Sequence, residues 1–163
     1  MSLLEILQFP NPRLRNKAQP VERVDKEIQR LMDDMLETMY NAKGCGLAAT
    51  QVGVELRVIV MDLNVDEYEG GVYKMANPEL IWKSKRMSSY EEGCLSVPGE
   101  RAEIFRPSMV TVRYLDEKGN VCEKKGDDLF ATCVQHEIDH LDGKLFVDYI
   151  SSKEVNISHA SLK

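Results

Sequence analysis

Histidine and tryptophan are scarce in this 163-residue chain, which has three of the first and one of the second. Long apolar runs are missing altogether. No stretch of about 18 apolar residues offers itself as a membrane span, and no charged-then-apolar leader stands at the start, so neither membrane insertion nor export is expected. Basic charge is in deficit as well: 21 Lys and Arg face 27 Asp and Glu, leaving a net charge of −6. Such a field repels phosphate backbones, so direct nucleic-acid binding is not expected; the lack of a span or leader is what points to a cytoplasmic protein. Proline and glycine number only 6 and 10, which argues against low-complexity disorder. The four cysteines, Cys45, Cys94, Cys122 and Cys133, could pair as two disulfides. With nothing pointing to export, they are expected to stay reduced.

What is present fits one domain with a short tail at about 151–163. A chain of this length buries roughly 68–70% of its unfolded surface, so it needs neither disulfide nor metal merely to be stable, and any metal site in it should be functional. The segment Phe9-Pro10-Asn11-Pro12-Arg13 is turn chemistry and starts no helix. From Asp25, apolar residues recur at Ile28, Leu31, Met32, Met35, Leu36, Met39 and Tyr40. That spacing predicts a helix capped by Asp25 and ended by Gly44, with its Met-rich stripe in the core. Leu56 to Met61 reads as a strand with little solvent exposure, and Asp66 to Gly71 as a turn. Further extended runs are predicted at Val72 to Ala76, Glu79 to Trp82 and Met109 to Leu115, with a hairpin loop at Asp116 to Asn120 leading into Val121 to Lys125. A second helix starts at Asp127 or Asp128, carries Leu129, Phe130, Cys133, Val134, Ile138 and Leu141, and stops at Gly143. The expected fold is α+β: antiparallel strands packed around a helix in the C-terminal half, with an additional N-terminal helix.

The second helix carries His136-Glu137-Ile138-Asp139-His140. Two histidines four apart rise on one helix face, about 6 Å from each other along the axis, and both can reach one ion. Glu137 projects about 100° round from His136 and can take a proton from a metal-bound water. Two of the three histidines in the chain therefore sit at ligand spacing, in the H-E-x-x-H arrangement.

A catalytic ion needs a third protein ligand and an open position. The extended metalloprotease pattern would place a His where this chain has Phe146, and the downstream-glutamate pattern has only Glu154 to offer. His159 reads as a solvated tail residue. Cys133 precedes His136 by three residues on the same face but lies about 10 Å along the axis from His140, too far for a short side chain, and is expected in a pocket wall or the core. Cys122 stands among charges on a hairpin strand. Cys45 and Cys94 each lie in a Gly-containing segment that can approach a site closely, and spacing alone leaves both open.

Three segments, Gly44-Cys45-Gly46-Leu47-Ala48-Ala49-Thr50-Gln51-Val52-Gly53, Glu92-Gly93-Cys94-Leu95-Ser96 and Gln135-His136-Glu137-Ile138-Asp139-His140-Leu141-Asp142-Gly143, closely resemble the three diagnostic motifs of the peptide deformylase family, in its order and spacing. The resemblance runs from about Leu4 to Tyr149. It implies that Cys94 is the third ligand beside His136 and His140, with water or hydroxide in the fourth position. It also implies Fe2+ as the metal in the cell, where the residues alone suggest Zn2+. A thiolate ligand is soft enough to admit Ni2+ or Co2+ as well.

The reaction so implied removes the N-formyl group from the initiator methionine of new polypeptides and releases formate. By the same resemblance, Glu137 is the proton carrier, and the Gln51 side-chain amide and the Leu95 backbone N–H are donors to the formyl oxygen. Gly44, Cys45, Gly46 and Leu47 can pair with the peptide backbone as an added strand. Cys45, Leu129 and Cys133 are candidate walls for the methionine side chain. Most relatives carry a branched aliphatic residue in place of Cys45, so the pocket here should be slightly larger and more readily oxidised. Many bacterial relatives dock on the ribosome through a basic C-terminal helix. Ser151 to Lys163 is short and weakly charged, so docking by that route is not expected. Two competing readings are a small zinc endopeptidase with Glu154 or another carboxylate as third ligand, and a noncatalytic protein with a metal-stapled core.

Overall fold

A computed structural model of the chain describes residues 2–150. The tail at about 151–163, with Glu154 and His159, lies outside the described residues. The first helix, α1, spans Lys26–Asn41, and the Asp25 carboxylate caps it by accepting from the Ile28 N–H at 3.0 Å. Met32, Met35 and Met39 are fully buried, as the stripe predicts. Each contributes about 1.5–3 kcal/mol by leaving water. Tyr40 departs from the stripe: it is exposed, and its hydroxyl turns to Asp62. Gly44 is not the left-handed residue that ends the helix. Lys43 takes that conformation with φ 61°, while the Gly44 N–H closes the turn onto the Met39 carbonyl.

Seven strands follow: β1 Gly46–Ala48, β2 Val58–Val65, β3 Tyr68–Lys83, β4 Met87–Cys94, β5 Val97–Pro107, β6 Met109–Leu115 and β7 Val121–Asp127. The second helix, α2, spans Asp128–Leu141. Five strands form one antiparallel sheet in the order β1-β2-β3-β6-β7, and β4 pairs with β5 in a separate hairpin. In β2, Val58 and Val60 point to the α1 side, where they meet Met32, Met35 and Met39. Ile59, Met61 and Leu63 point the other way, onto Val134, Ile138 and Leu141 of α2. With both faces covered, β2 needs no polar alternation, which is why its sequence is nearly continuously apolar.

The sequence reading divides β3 into two runs, at Val72 to Ala76 and Glu79 to Trp82. It is one strand whose register slips between Ala76 and Glu79 and again between Leu80 and Trp82, with Asn77 at φ 50°. The β4–β5 hairpin is not expected from the sequence. Ser88-Ser89-Tyr90-Glu91-Glu92 lacks apolar alternation, because Glu92, one of its inward residues, is a buried charge. Helix α2 is buried nearly all round, and Gly143 stops it with φ 75°, at a point where a Cβ would collide with the Arg15 backbone. Asp127 holds the N-cap position of α2 without a side-chain capping bond. No helix among the described residues is long and apolar enough to cross a membrane.

Candidate active site

Burial of α2 places His136 and His140 inside the molecule, facing the tight turn of the β4–β5 hairpin. The two Nε2 atoms are 3.2 Å apart, and Cys94 Sγ is 3.3 Å from His140 Nε2. Among the described residues these three side chains form the cluster of donors that fits an ion. Bonds of 2.0–2.3 Å in tetrahedral geometry separate neighbouring donors by about 3.4 Å, so the observed spacings suit a single metal. Two imidazole nitrogens facing each other so closely in the interior cannot both carry protons, whereas a cation satisfies both. Cys45 is not part of this cluster; of the two cysteines left open by spacing, Cys94 is the one beside the imidazoles. The endopeptidase pattern finds no support at Phe146, whose ring stacks on His136 with centroids 6.1 Å apart.

The surrounding groups orient these donors. His136 Nδ1 hydrogen-bonds Glu92 Oε1 at 2.9 Å, which turns Nε2 toward the cluster. Glu92 is held in turn by Arg106, whose Nε and Nη2 donate to its two oxygens at 2.7 and 2.9 Å, and Arg106 Nη1 donates to Asp139 at 2.8 Å. Glu92 and Arg106 are both 5% exposed. Burial pushes the Glu92 carboxyl up, but hydrogen bonds from His136 and Arg106 outweigh it and leave it below its ordinary value. Burial likewise pushes His136 down, and Cys94 and Glu92 outweigh it, leaving His136 well above its ordinary value. His140 is held well below its ordinary value by burial and then by the charge of His136. Sequence reasoning missed Glu92 and Arg106 as site residues. Two opposite charges fourteen positions apart carry no periodic signal, and only the hairpin brings them together.

Glu137 lines the cavity, and burial raises its carboxyl to about 7. Its Oε1 is buried without a hydrogen-bond partner among the described residues. A Cβ at Gly46 would collide with this carboxylate, so any larger residue there would have to displace the Glu137 side chain. Gln51, 1% exposed, accepts from the Ala48 N–H at 2.9 Å through Oε1. That bond fixes the amide orientation and directs Nε2 toward Ser96 Oγ at 3.0 Å and Cys94 Sγ at 3.5 Å. The Ser96 N–H also donates to Cys94 Sγ at 3.4 Å, a second supporting residue that sequence reasoning missed.

The cavity has a volume of about 880 Å³. Gly44, Cys45, Gly46, Leu95, Leu129 and Cys133 all line it. Leu47 does not: its side chain is fully buried on the α1 side, so only its backbone is available. β1 is an edge strand of the sheet, paired on one side only, with β2. Leu95 fills the space beside Gly44, where a Cβ would collide with its side chain. The sulfurs of Cys45 and Cys133 are 3.8 Å apart, and a hydrogen bond from Cys133 lowers the Cys45 thiol to about 6.

A Cys-His-His donor set with two buried imidazoles and a half-buried sulfur, beside a carboxylate whose Oε1 has no partner among the described residues, and opening on a cavity bordered by a strand edge, fits a metallohydrolase acting on an extended chain. The comparisons sharpen that class. The polypeptide deformylase family matches residues 3–156, and the chain belongs to it. A peptide deformylase of Methylocella silvestris is 54% identical over 154 residues, covering 93% of this chain and 79% of that protein. One from Pseudomonas aeruginosa is 53% identical over 152 residues, covering 93% and 89%. The crystal structure of the Ehrlichia chaffeensis peptide deformylase in complex with actinonin is 42% identical, with a TM-score of 0.93, and covers 100% of this chain and 97% of that one. The chain is accordingly a metal-dependent hydrolase that removes the N-formyl group from the initiator methionine of newly made polypeptides, releasing formate.

Proposed function

We propose that Cys94, His136 and His140 hold one divalent ion, Fe2+ in the cell, with Zn2+, Ni2+ or Co2+ as substitutes, and that Glu137 carries the proton in deformylation. The observation behind this reading is the convergence of one sulfur and two imidazole nitrogens at 3.2 and 3.3 Å, one residue from a carboxylate whose Oε1 has no partner among the described residues. A thiolate makes the donor set soft and anionic, which suits iron as well as zinc. When bound, the ion supplies a Lewis acid that acidifies water and polarises an amide carbonyl.

The remaining roles belong to the chain. Glu137 accepts the proton of the attacking water and returns it to the departing amine nitrogen, a shuttle suited to a carboxyl raised to about 7. Gln51 Nε2, held in place by the Ala48 N–H, donates to the formyl oxygen as charge develops there, and the Leu95 backbone N–H is the second donor. The substrate lies along the free edge of β1 at Gly44, Cys45, Gly46 and the Leu47 backbone, with the methionine side chain between Cys45, Leu129 and Cys133. Backbone pairing along a strand edge reads no side chains beyond the first, as suits an enzyme that meets every nascent sequence. The enzyme works in the cytoplasm on emerging polypeptides and needs no nucleic-acid contact, consistent with its charge of −6.

Anaerobically purified protein incubated with formyl-Met-Ala-Ser should release formate and contain iron. Glu137→Gln should keep the metal and lose at least about a hundredfold in turnover, the usual worth of a positioned acid–base group. Cys94→Ala should lose the metal itself. Full turnover in Glu137→Gln would remove that residue from the proton-carrying role, and zinc alone in the anaerobic protein would refute the iron assignment.

A further inference from the structure

We propose that Cys45 and Cys133 form a reversible disulfide in the wall of the substrate cavity, so that a hydroperoxide closes it to the methionine side chain and a thiol reductant reopens it. The gating half rests on the methionine cavity proposed above. The bridge itself rests on geometry alone. The two sulfurs are 3.8 Å apart and both residues line the cavity. Closure to a bond of about 2.05 Å asks the sulfurs to approach by less than about 2 Å, a movement the two side chains can share. The backbone segments that carry them are already packed together, since β1 passes Glu137 so closely that Gly46 has no room for a Cβ.

Neither sulfur belongs to the donor cluster, and neither has a part in the hydrolysis. Their accessibilities differ in the way a two-step oxidation needs: Cys45 is exposed and Cys133 is buried. The Cys45 thiolate attacks the peroxide, the O–O bond breaks, and a Cys45 sulfenic acid forms as one oxygen leaves as water or alcohol. Cys133 then attacks the Cys45 sulfur. The S–S bond forms, the S–O bond breaks, and the leaving hydroxide takes the Cys133 proton as water. The two thiols together give up two electrons and two protons, and the hydroperoxide receives them. The other thiols are placed differently. Cys94 is held by His140, Gln51 and Ser96, and Cys122 lies on β7 beside Asp116, away from the cavity.

The test uses the full chain loaded with zinc, which avoids iron–peroxide chemistry, and follows hydrogen peroxide treatment by alkylation and peptide mapping. The expected map shows a linked Cys45–Cys133 peptide lacking two hydrogens, absent after dithiothreitol. In the same samples zinc content should hold while kcat/KM for formyl-Met-Ala-Ser falls about tenfold or more, the loss expected when an apolar pocket is misfitted by a methylene or two. Dithiothreitol should restore it. Cys45→Ala, compared with its own untreated sample, should show no fall at the same dose, and Cys133→Ala, in which oxidation stops at the Cys45 sulfenic acid, should yield no linked peptide. Absence of the linked peptide, or a bridge to Cys94 instead, overturns the proposal and leaves the methionine cavity standing. An equal fall in Cys45→Ala overturns it too, by assigning the loss to Cys94. A quantitative Cys45–Cys133 bridge with unchanged kcat/KM overturns the gate and, with it, the placement of methionine in this cavity.

Discussion

Replacing Glu92 with Gln tests whether the buried carboxylate serves the metal, the fold, or both. Glu92 accepts from His136 Nδ1 at 2.9 Å and from two Arg106 nitrogens at 2.7 and 2.9 Å. Glutamine keeps the volume and one acceptor, which can remain on His136 and Arg106 Nη2, but turns an NH2 toward the Arg106 Nε donor. Arg106 then keeps Asp139 as its charged partner, in a site where the Arg106 and Glu92 side chains are only 5% and 4% exposed. Breaking a buried pair costs about 3–5 kcal/mol, and the surviving Asp139 contact places the expected loss at the lower end, about 3 kcal/mol. For a chain of this size that corresponds to a melting temperature lower by about 6–12 °C. It should be measured on metal-free protein so that ion binding does not enter the comparison. Metal affinity, read by chelator competition, should weaken about 10–100-fold, as loss of charge behind a ligating imidazole does elsewhere. Arg106→Met supplies the contrast: it strands Glu92 and Asp139 and should destabilise at least as much, yet it leaves Glu92 on His136 and should weaken metal binding less. If Glu92→Gln melts early but competes with chelator as the wild type does, the carboxylate is a structural anchor and its supposed effect on the ligand is wrong.

Gly46→Ala forces a Cβ into the Glu137 carboxylate. With metal content unchanged, kcat should fall about a hundredfold, the scale of an ångström-level misplacement of a catalytic group, and unchanged kcat would show that the carboxylate is free to move aside. Met39→Ala in the fully buried α1 stripe should cost about 2–5 kcal/mol in urea unfolding; a loss below that range would mean the α1 layer collapses easily around the gap. Asp148 contributes a pH dependence. Burial pushes its carboxyl up, but two hydrogen bonds from Arg15 outweigh this and lower it, so the contribution is fully present above the ordinary carboxylate range. It disappears as pH falls through the lowered folded-state value. Both side chains are more than a third exposed, so solvent screening limits the effect to less than about 1 kcal/mol. Arg15→Gln should remove that share of the acid-side loss in metal-free protein, and an unchanged acid slope would refute it.

The parts of the fold legible in the sequence are those governed by one dominant period. α1 announces itself through apolar spacing and the Asp25 cap. β6 matches its apolar run, Met109 to Leu115, residue for residue. β3 is harder because its register slips twice, and a strand that changes register splits in any reading that assumes period two. The β4–β5 hairpin is illegible for a different reason. Its inward face holds Glu92 and Arg106, so burial there follows charge pairing rather than hydrophobicity. The two histidines were visible because a helix fixes their spacing. The proposed third ligand is invisible to spacing, since 42 positions separate Cys94 from His136, and its role could be named only through the family motif.

That separation also explains why the charges are buried where they are. The hairpin is not a strand of the five-stranded sheet, and the backbone bonds from the Ser84 N–H to the Met109 carbonyl and from the Ser108 N–H to the Arg86 carbonyl tie it only at its open end, opposite the turn that carries Cys94. Near Cys94 the position is set mainly by side chains. Glu92 on β4 reaches His136, Arg106 on β5 reaches both Glu92 and Asp139, and Gln135 Nε2 donates to the Pro107 carbonyl at 3.0 Å. On the other side of the sulfur, Gln51 donates to Ser96, and the Phe9 N–H donates to the Ser96 carbonyl at 2.7 Å. An apolar contact of equal area would hold the hairpin as strongly but would tolerate sliding, because dispersion has little directional preference. Charged hydrogen bonds at 2.7–2.9 Å do not tolerate it. The desolvation these ions require is thus the cost of holding a sulfur and two imidazoles within a few tenths of an ångström of the spacing an ion demands. The same polar anchors that hid the hairpin from the sequence are what bring Cys94, at its tip, to the two imidazoles.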